Sequence, residues 1–367
     1  MARLPSTPDE ILASSRFDPD FEATWKAQGS PSGDPPCDIP TLKSIMEKHF
    51  PSIQQKATAC RPAGVVQAEY LIPLETGFES RTLVCHAARD VEKTRDKLSP
   101  IVVLFHGGGN CIGYPELELD LAYQLVLTHN ATVICPSVRQ APEHPFPASI
   151  NDAWAILQYI GTQAGRSADK QSGPSLLPPN ASASAGFIVG GSSSGAHTSG
   201  VLARLYLDEE PSPPLTGQFL SCGAYVNPSG VPAKFREVYL SREQNADAPV
   251  LTQRFLRLFQ DAEKPDTGSR LWSPMWDYPD CLGLMKTKMP PAYFQACGLD
   301  LSRDDSLIYE RVLREECGVP TKMDLYSGFP HCFWNSFPEM EASKKRLKDS
   351  VEGIGWLLGR IGANASG

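Results

Sequence analysis

No stretch of this 367-residue chain approaches the ~18 consecutive apolar residues that a membrane-crossing helix requires. Positive charge is also in short supply. Lys and Arg number 34 against 42 Asp and Glu, a formal charge of -8, which argues against nucleic-acid binding and against a polybasic membrane surface. The residues from Met1 onward hold no apolar core of a secretory leader, and a cytoplasmic setting is expected. The ten cysteines form no C-x-x-C pair and no finger spacing with histidine. No metal or organic cofactor is expected. Cys135, Cys222 and Cys297 instead fall inside apolar, strand-like runs, where a reduced cysteine acts as a small hydrophobe.

What is present is a set of motifs in a telling order. Phe187-Ile188-Val189-Gly190 reads as a strand, and the run through Leu202, Leu205 and Leu207 reads as a helix. Between them stands Gly191-Ser192-Ser193-Ser194-Gly195, which fits G-x-S-x-G, a strand-to-helix turn that exposes a serine nucleophile. Only Ser193 has glycine two positions away on both sides. Side chains there would collide with strand or helix. A Gly/Ser-rich linker is the plain alternative, and the strand and helix flanks argue against it.

Upstream, Ile101-Val102-Val103-Leu104-Phe105 is a continuous apolar run, the pattern of a strand buried on both faces. His106-Gly107-Gly108-Gly109 follows. Consecutive glycines let backbone N–H groups converge on a developing oxyanion. Gly107, Gly108 and Gly109, with the N–H of Ser194, are therefore the expected oxyanion donors. Downstream, Ala292–Cys297 and Thr321–Tyr326 read as strands ending in Gly298-Leu299-Asp300 and Ser327-Gly328-Phe329-Pro330-His331. Asp300 and His331 thus fall on loops beyond strand C-termini, where α/β sheets carry their chemistry. The order Ser193, Asp300, His331 is that of the α/β-hydrolase fold.

With these motifs, and with Arg139-Gln140-Ala141-Pro142-Glu143-His144-Pro145 and Asp300-Leu301-Ser302-Arg303-Asp304, the chain resembles the hormone-sensitive-lipase-like esterases from about Val65 onward. The resemblance implies an α/β class fold: a mostly parallel sheet flanked by helices, with a helical cap. It implies Ser193 as nucleophile, Asp300 as acid and His331 as base, with His106 supporting the oxyanion loop. Two departures stand out. The family's Asp before the nucleophile and Ala after it are here Ser192 and Ser194, and its Tyr-Arg-Leu is here Val138-Arg139-Gln140. Ser192 cannot supply the carboxylate that usually supports the site from behind.

The expected organisation is an N-terminal cap segment over 1–59, core over 60–231, a helical cap insertion over 232–280, and core again over 281–367. Helices are expected over Pro19–Gln28, Ile39–His49 and Ile150–Ile160. Strands are expected over Gln67–Ile72, Arg81–His86, Thr132–Pro136 and Gly217–Tyr225. Arg166–Ala185, rich in Ser, Ala, Pro and Gly, reads as a surface loop without chemistry. Cys111, Ile112, Tyr114, Trp272, Trp276, Phe333 and Trp334 are candidate pocket residues, since esters of medium size need an apolar pocket. His144 and His197 read as structural. Asp304 and Asp305 are expected only to favour the N-terminal end of a helix.

The function expected is a serine carboxylic-ester hydrolase working through an acyl-enzyme. A second class uses the same triad biosynthetically, as a lactonase, thioesterase, acyltransferase or cyclase. A third, a non-catalytic hormone receptor, is disfavoured because the gibberellin receptors resembling this family have lost the histidine that His331 retains here. The partner expected is a small-molecule ester, lactone or thioester, and a homodimer is left open.

Overall fold

A computed structural model describes residues 3–34, 37–88, 98–165 and 175–359. Eight strands build one sheet: β1 (Val65–Pro73), β2 (Glu79–Ala87), β3 (Ile101–Phe105), β4 (Thr132–Pro136), β5 (Phe187–Ser192), β6 (Gly217–Ser221), β7 (Ala292–Cys297) and β8 (Thr321–Tyr326). Their spatial order is β1-β2-β4-β3-β5-β6-β7-β8. β1 and β2 pair antiparallel, as do β2 and β4. From β4 to β8 every pairing is parallel. β3 to β7 are buried at every position, as their unbroken apolar runs require.

Helices cover both faces. On one, Ala148–Ala164 and Ser194–Glu209 bring Ile156, Leu157, Ile160, Val201 and Leu205 onto Val103, Val189 and Leu220. On the other, Leu119–His129 and Glu341–Leu357 bring Leu125, Val126 and Ile354 onto Leu104, Val133 and Ile188. The parallel strands therefore all deliver their C-terminal ends to one edge of a three-layer sandwich. No helix among the described residues is long and apolar enough to cross a membrane. The ten cysteines are free, eight of them buried.

Several local expectations change. β6 stops at Ser221 because Cys222 turns to φ 57°. The helix expected to end at His49 runs over Ile39–Ala59 and passes through Pro51. A further helix, Pro8–Ala13, is capped by reciprocal bonds between Thr7 and Glu10, the capping-box pattern that Thr7 and Glu10 spell in sequence. Within Arg166–Ala185, residues 166–174 lie outside the described residues. The remainder is not a loose surface loop: Leu176 and Leu177 enter the core, and Ser99 bridges Ala181.

The N-terminal segment locks onto the edge that carries the polar loops. Phe21 packs on Phe329 and Phe337. Gly328 donates to Ser14 O at 2.8 Å, and Ser15 Oγ donates to Gly298 O at 2.7 Å. A Cβ on Gly298 would lie 1.9 Å from Ser14 O, and one on Gly328 2.2 Å from Asp18 N.

Candidate active site

Ser193 occupies the turn between β5 and the helix Ser194–Glu209 at φ 53° and ψ -122°, a conformation few L-residues adopt. The turn is sharp. A Cβ on Gly191 would stand 2.1 Å from Phe105 O, and one on Gly195 1.9 Å from the same oxygen. Glycine at both positions is a steric requirement, and it singles out the serine midway between them. The Ser193 amide donates to Ser221 O at 2.8 Å, tying the turn to β6.

His331 Nε2 lies 2.8 Å from Ser193 Oγ, and Nδ1 lies 2.7 Å from Asp300 Oδ2. The matching tautomer carries its proton on Nδ1, donated to the carboxylate, and leaves Nε2 free to accept from Ser193. Asp300 is buried, and its Oδ1 accepts from the amide and hydroxyl of Ser302, each at 2.9 Å. Burial alone would raise this carboxyl. The His331 charge and hydrogen bond, with the Ser302 donors, outweigh it and hold Asp300 below the usual carboxylate range. Burial likewise works to lower His331, but the Asp300 carboxylate wins and pushes it up to about 8.

The loop over residues 107–109 depends on its glycines. Gly108 and Gly109 have φ 124° and 60°. A Cβ on Gly108 would meet Ile112 O at 2.0 Å, and one on Gly109 the Phe259 ring at 2.6 Å. Among the described residues no protein acceptor takes the N–H of either glycine. His106 supports the loop from within: its Nδ1 bonds Gly107 O at 2.8 Å. Burial holds its pKa down, against the pull of that bond.

A carboxylate behind Ser193 comes from another element. Ser192 Oγ donates to Glu118 Oε1 at 2.6 Å, both residues being buried. Burial raises the Glu118 carboxyl, with the Ser192 bond and the Arg346 charge opposing. Sequence reasoning did not single out Glu118. Asp304 and Asp305 also do more than sit at a helix start. Both are fully buried. Asp304 accepts from the amides of Leu240 and Ser241 and pairs with Arg303, while Asp305 accepts from the amides of Tyr225 and Val226 and pairs with Arg242. They fasten the segment after residue 232 to the core, and Asp300 alone reaches His331.

Two chambers meet at Ser193 and His331. The smaller, about 90 Å³, is lined by Asn110, Arg242, Gln260, Glu263, His197 and Trp272 among others. The larger, about 250 Å³, is lined chiefly by Met46, Ile112, Leu117, Val250, Phe255 and the loop glycines 107–109. Leu251, Leu256 and Phe259 border both. Met46 belongs to the N-terminal helix Ile39–Ala59, and Phe255 to the helix Gln253–Glu263.

Of the expected pocket residues, Ile112 and Trp272 line these chambers, and Ser194 lines the smaller. His197 does too, its ring tilted against Trp272 at 4.9 Å and bonding the Trp272 carbonyl. Burial lowers its pKa to about 4, and the carbonyl bond opposes this. The other five line neither chamber. Cys111 is buried behind the oxyanion loop, its thiol on Phe259 O. Tyr114 stacks on Phe50 at 4.2 Å. Trp276 is exposed. Phe333 is buried among Tyr326, Phe329 and Trp334. Trp334 lies under Arg346, its ring centre 3.7 Å from the guanidinium carbon, beside a separate cavity near Glu118. His144 is exposed in its turn.

One group of potential metal ligands converges among the described residues: the Cys222 and Cys332 thiols with a His331 nitrogen, within 4.8 Å. Asp300 and Ser193 already engage both His331 nitrogens, so a metal there would have to displace one of them.

Residues 102–335 match the family described as the alpha/beta hydrolase fold, and the chain belongs to that family. It is 27% identical over 316 residues to the versiconal hemiacetal acetate esterase of Dothistroma septosporum, covering 82% of this chain and 87% of that protein. It is 31% identical over 221 residues to the carboxylesterase NlhH of Mycobacterium tuberculosis, covering 60% of this chain and 61% of the other. Among solved structures, vibralactone cyclase aligns with a TM-score of 0.81 and 25% identity over 99% of both chains.

Proposed function

We propose that this serine hydrolase cleaves a small to medium carboxylic ester through an acyl-enzyme, with Ser193 as nucleophile, His331 as base and Asp300 as the acid that orients it. The observation that carries the reading is the unbroken chain of hydrogen bonds Ser193–His331–Asp300, at 2.8 and 2.7 Å. Ser193 Oγ attacks the ester carbonyl while His331 Nε2 takes its proton. Asp300 stabilises the imidazolium that forms. Backbone N–H groups of the 107–109 loop and Ser194 receive the oxyanion. His331 returns the proton to the leaving alkoxide, then activates water to release the acid.

Residues 1–59 and 232–280 together act as the cap that shapes the pocket, a reading supported by Met46 and Phe255 in one chamber wall. Eight buried free thiols fit a reducing, cytoplasmic setting.

A second reading is favoured by the likeness to vibralactone cyclase over nearly the whole chain: the acyl group passes to a hydroxyl of the substrate itself instead of to water. Fluorophosphonate labelling tests the shared chemistry. Ser193 should be labelled, and Ser193→Ala should abolish both labelling and turnover, the latter by about 10⁴-fold or more. Labelling retained in that variant would remove Ser193 from the role. Mass spectrometry of products formed from hydroxy esters in H₂¹⁸O separates the readings, because only hydrolysis puts the label into the released acid.

A further inference from the structure

One buried acid beside Ser193 has no part in the chemistry above. Glu263 ends the helix Gln253–Glu263 and lines the smaller chamber with Asn110, Arg242 and Gln260. Asn110 Nδ2 donates to its Oε1 at 2.6 Å, and no other side-chain donor among the described residues reaches the carboxyl. Burial pushes the group up to about 7, with the Asn110 bond pulling the other way. A carboxyl removed from water and given one donor is left short of hydrogen bonds, which is costly unless something else supplies them.

Arg242 lines the same chamber and carries the opposite charge, its Nη2 donating to Asp305 Oδ2 at 3.1 Å. Within about 90 Å³ that opens on Ser193 and His331, the wall therefore offers a carboxyl short of donors and a guanidinium. The larger chamber offers Met46, Leu117, Val250 and Phe255 instead. An alkyl chain satisfies neither polar group of the smaller chamber. A hydroxyl can donate to one and accept from the other.

We propose that the smaller chamber is a hydroxyl-recognition subsite: the substrate is an ester whose shorter limb carries a hydroxyl within two or three carbons of the scissile bond, with its apolar limb in the larger chamber. This rests on Ser193 being the nucleophile. Glu263 is then a specificity residue that touches substrate, and its bond to Asn110 sets the carboxyl at the chamber wall.

The test compares matched esters. On the acyl limb the pair is p-nitrophenyl butyrate and p-nitrophenyl 3-hydroxybutyrate. On the alcohol limb it is propyl butyrate and 3-hydroxypropyl butyrate, followed by acid release. In one of the two pairs the hydroxyl should raise kcat/KM by about ten-fold or more, since a polar site discriminates against a ligand that leaves it unpaired. Glu263→Leu should bring that ratio to about one or below. Glu263→Gln, which keeps an acceptor for Asn110, should lower it at least about three-fold and serves if the leucine variant does not fold. The ratio cancels any effect on the neighbouring oxyanion loop, because both members of a pair use it. A purely structural Glu263–Asn110 bond would leave the ratio unchanged in both variants, and that result overturns the proposal. So does equal kcat/KM within both wild-type pairs while Ser193 is still labelled by a fluorophosphonate; the function then stands without the subsite. A wild type neither labelled nor active on any of the four esters overturns both.

Discussion

Ser192 donates its hydroxyl hydrogen to Glu118 across 2.6 Å, both residues being largely buried. The residue before the nucleophile thus has a carboxylate behind it even though its own side chain carries none. Glu118→Ala should leave the Ser192 hydroxyl without its acceptor and a void under the nucleophile. A loss of about 1–3 kcal/mol follows from the orphaned donor, seen as a lower melting temperature, and turnover should fall with it. Glu118→Gln keeps an acceptor and should lose much less of both. Equal losses in the two variants would mean that the charge, not the hydrogen bond, matters.

Asp300 and Asp304 lie four positions apart and are both buried, yet their substitutions should fail differently. Asp300→Asn should remain folded and lose turnover by about 10⁴-fold, because the imidazole loses its orienting anion. Asp304→Asn should strip the buried Arg303 of its charge partner, costing about 3–5 kcal/mol of stability. Active-site titration with a fluorophosphonate separates the two: turnover per labelled site should fall sharply in Asp300→Asn and little in Asp304→Asn.

Activity and stability should respond to pH in opposite directions around His331. The imidazole must be neutral to accept the Ser193 proton, so kcat/KM should decline as the pH is lowered through about 8. The folded pKa lies above the ordinary 6.5, so the pair's contribution to stability is full below about 6.5 and is lost as the pH rises through about 8. Asp300→Asn should move the kinetic midpoint downward, because the charge that raises His331 is gone. An unmoved midpoint would assign the titration to another group.

Trp272 and Trp276 provide a contrast in selectivity. Trp272 lines the smaller chamber and is buried, while Trp276 is 45% exposed. Trp272→Ala should shift preference toward a bulkier limb and cost about 3–5 kcal/mol of stability. Trp276→Ala should change stability by no more than about 0.5 kcal/mol and leave the ranking of an ester series unchanged.

These two tryptophans also mark how far the sequence could be read. Ser193, Asp300 and His331 were legible because each depends on a local device, a glycine-flanked turn or a loop directly after an apolar strand. Those devices constrain neighbouring residues. Whether Trp276, Phe333 or Tyr114 faces a pocket depends on a rotation about the element axis set by distant packing, and the aromatic count of a segment carries no such information. Glu118 was hidden for the same reason. Its partner Ser192 is 74 positions away, and a Glu near Tyr114 and Pro115 reads as a solvated helix start. Glu263 belongs to an amphipathic helix whose composition does not say which end is buried. Asp304 and Asp305 were given a local role when their partners, Leu240, Ser241, Tyr225 and Val226, come from other parts of the chain. The helix over Ile39–Ala59 extends past its expected end at His49 and holds Pro51 inside it, where a proline usually breaks a helix.

Ser15 meets Gly298 across 283 positions and Arg303 across 288. The loops bearing Asp300 and His331 are therefore braced by a segment synthesised well before them. Until the chain beyond β8 is synthesised, Phe21 has no Phe329 or Phe337 to rest on, and its apolar ring stays uncovered. Contacts this distant also form slowly, since the loop they close must be paid in chain entropy. A chain cut short before β8 thus lacks His331 and also the surface that covers Phe21, so loss of the later loops uncovers an apolar face on the earlier segment.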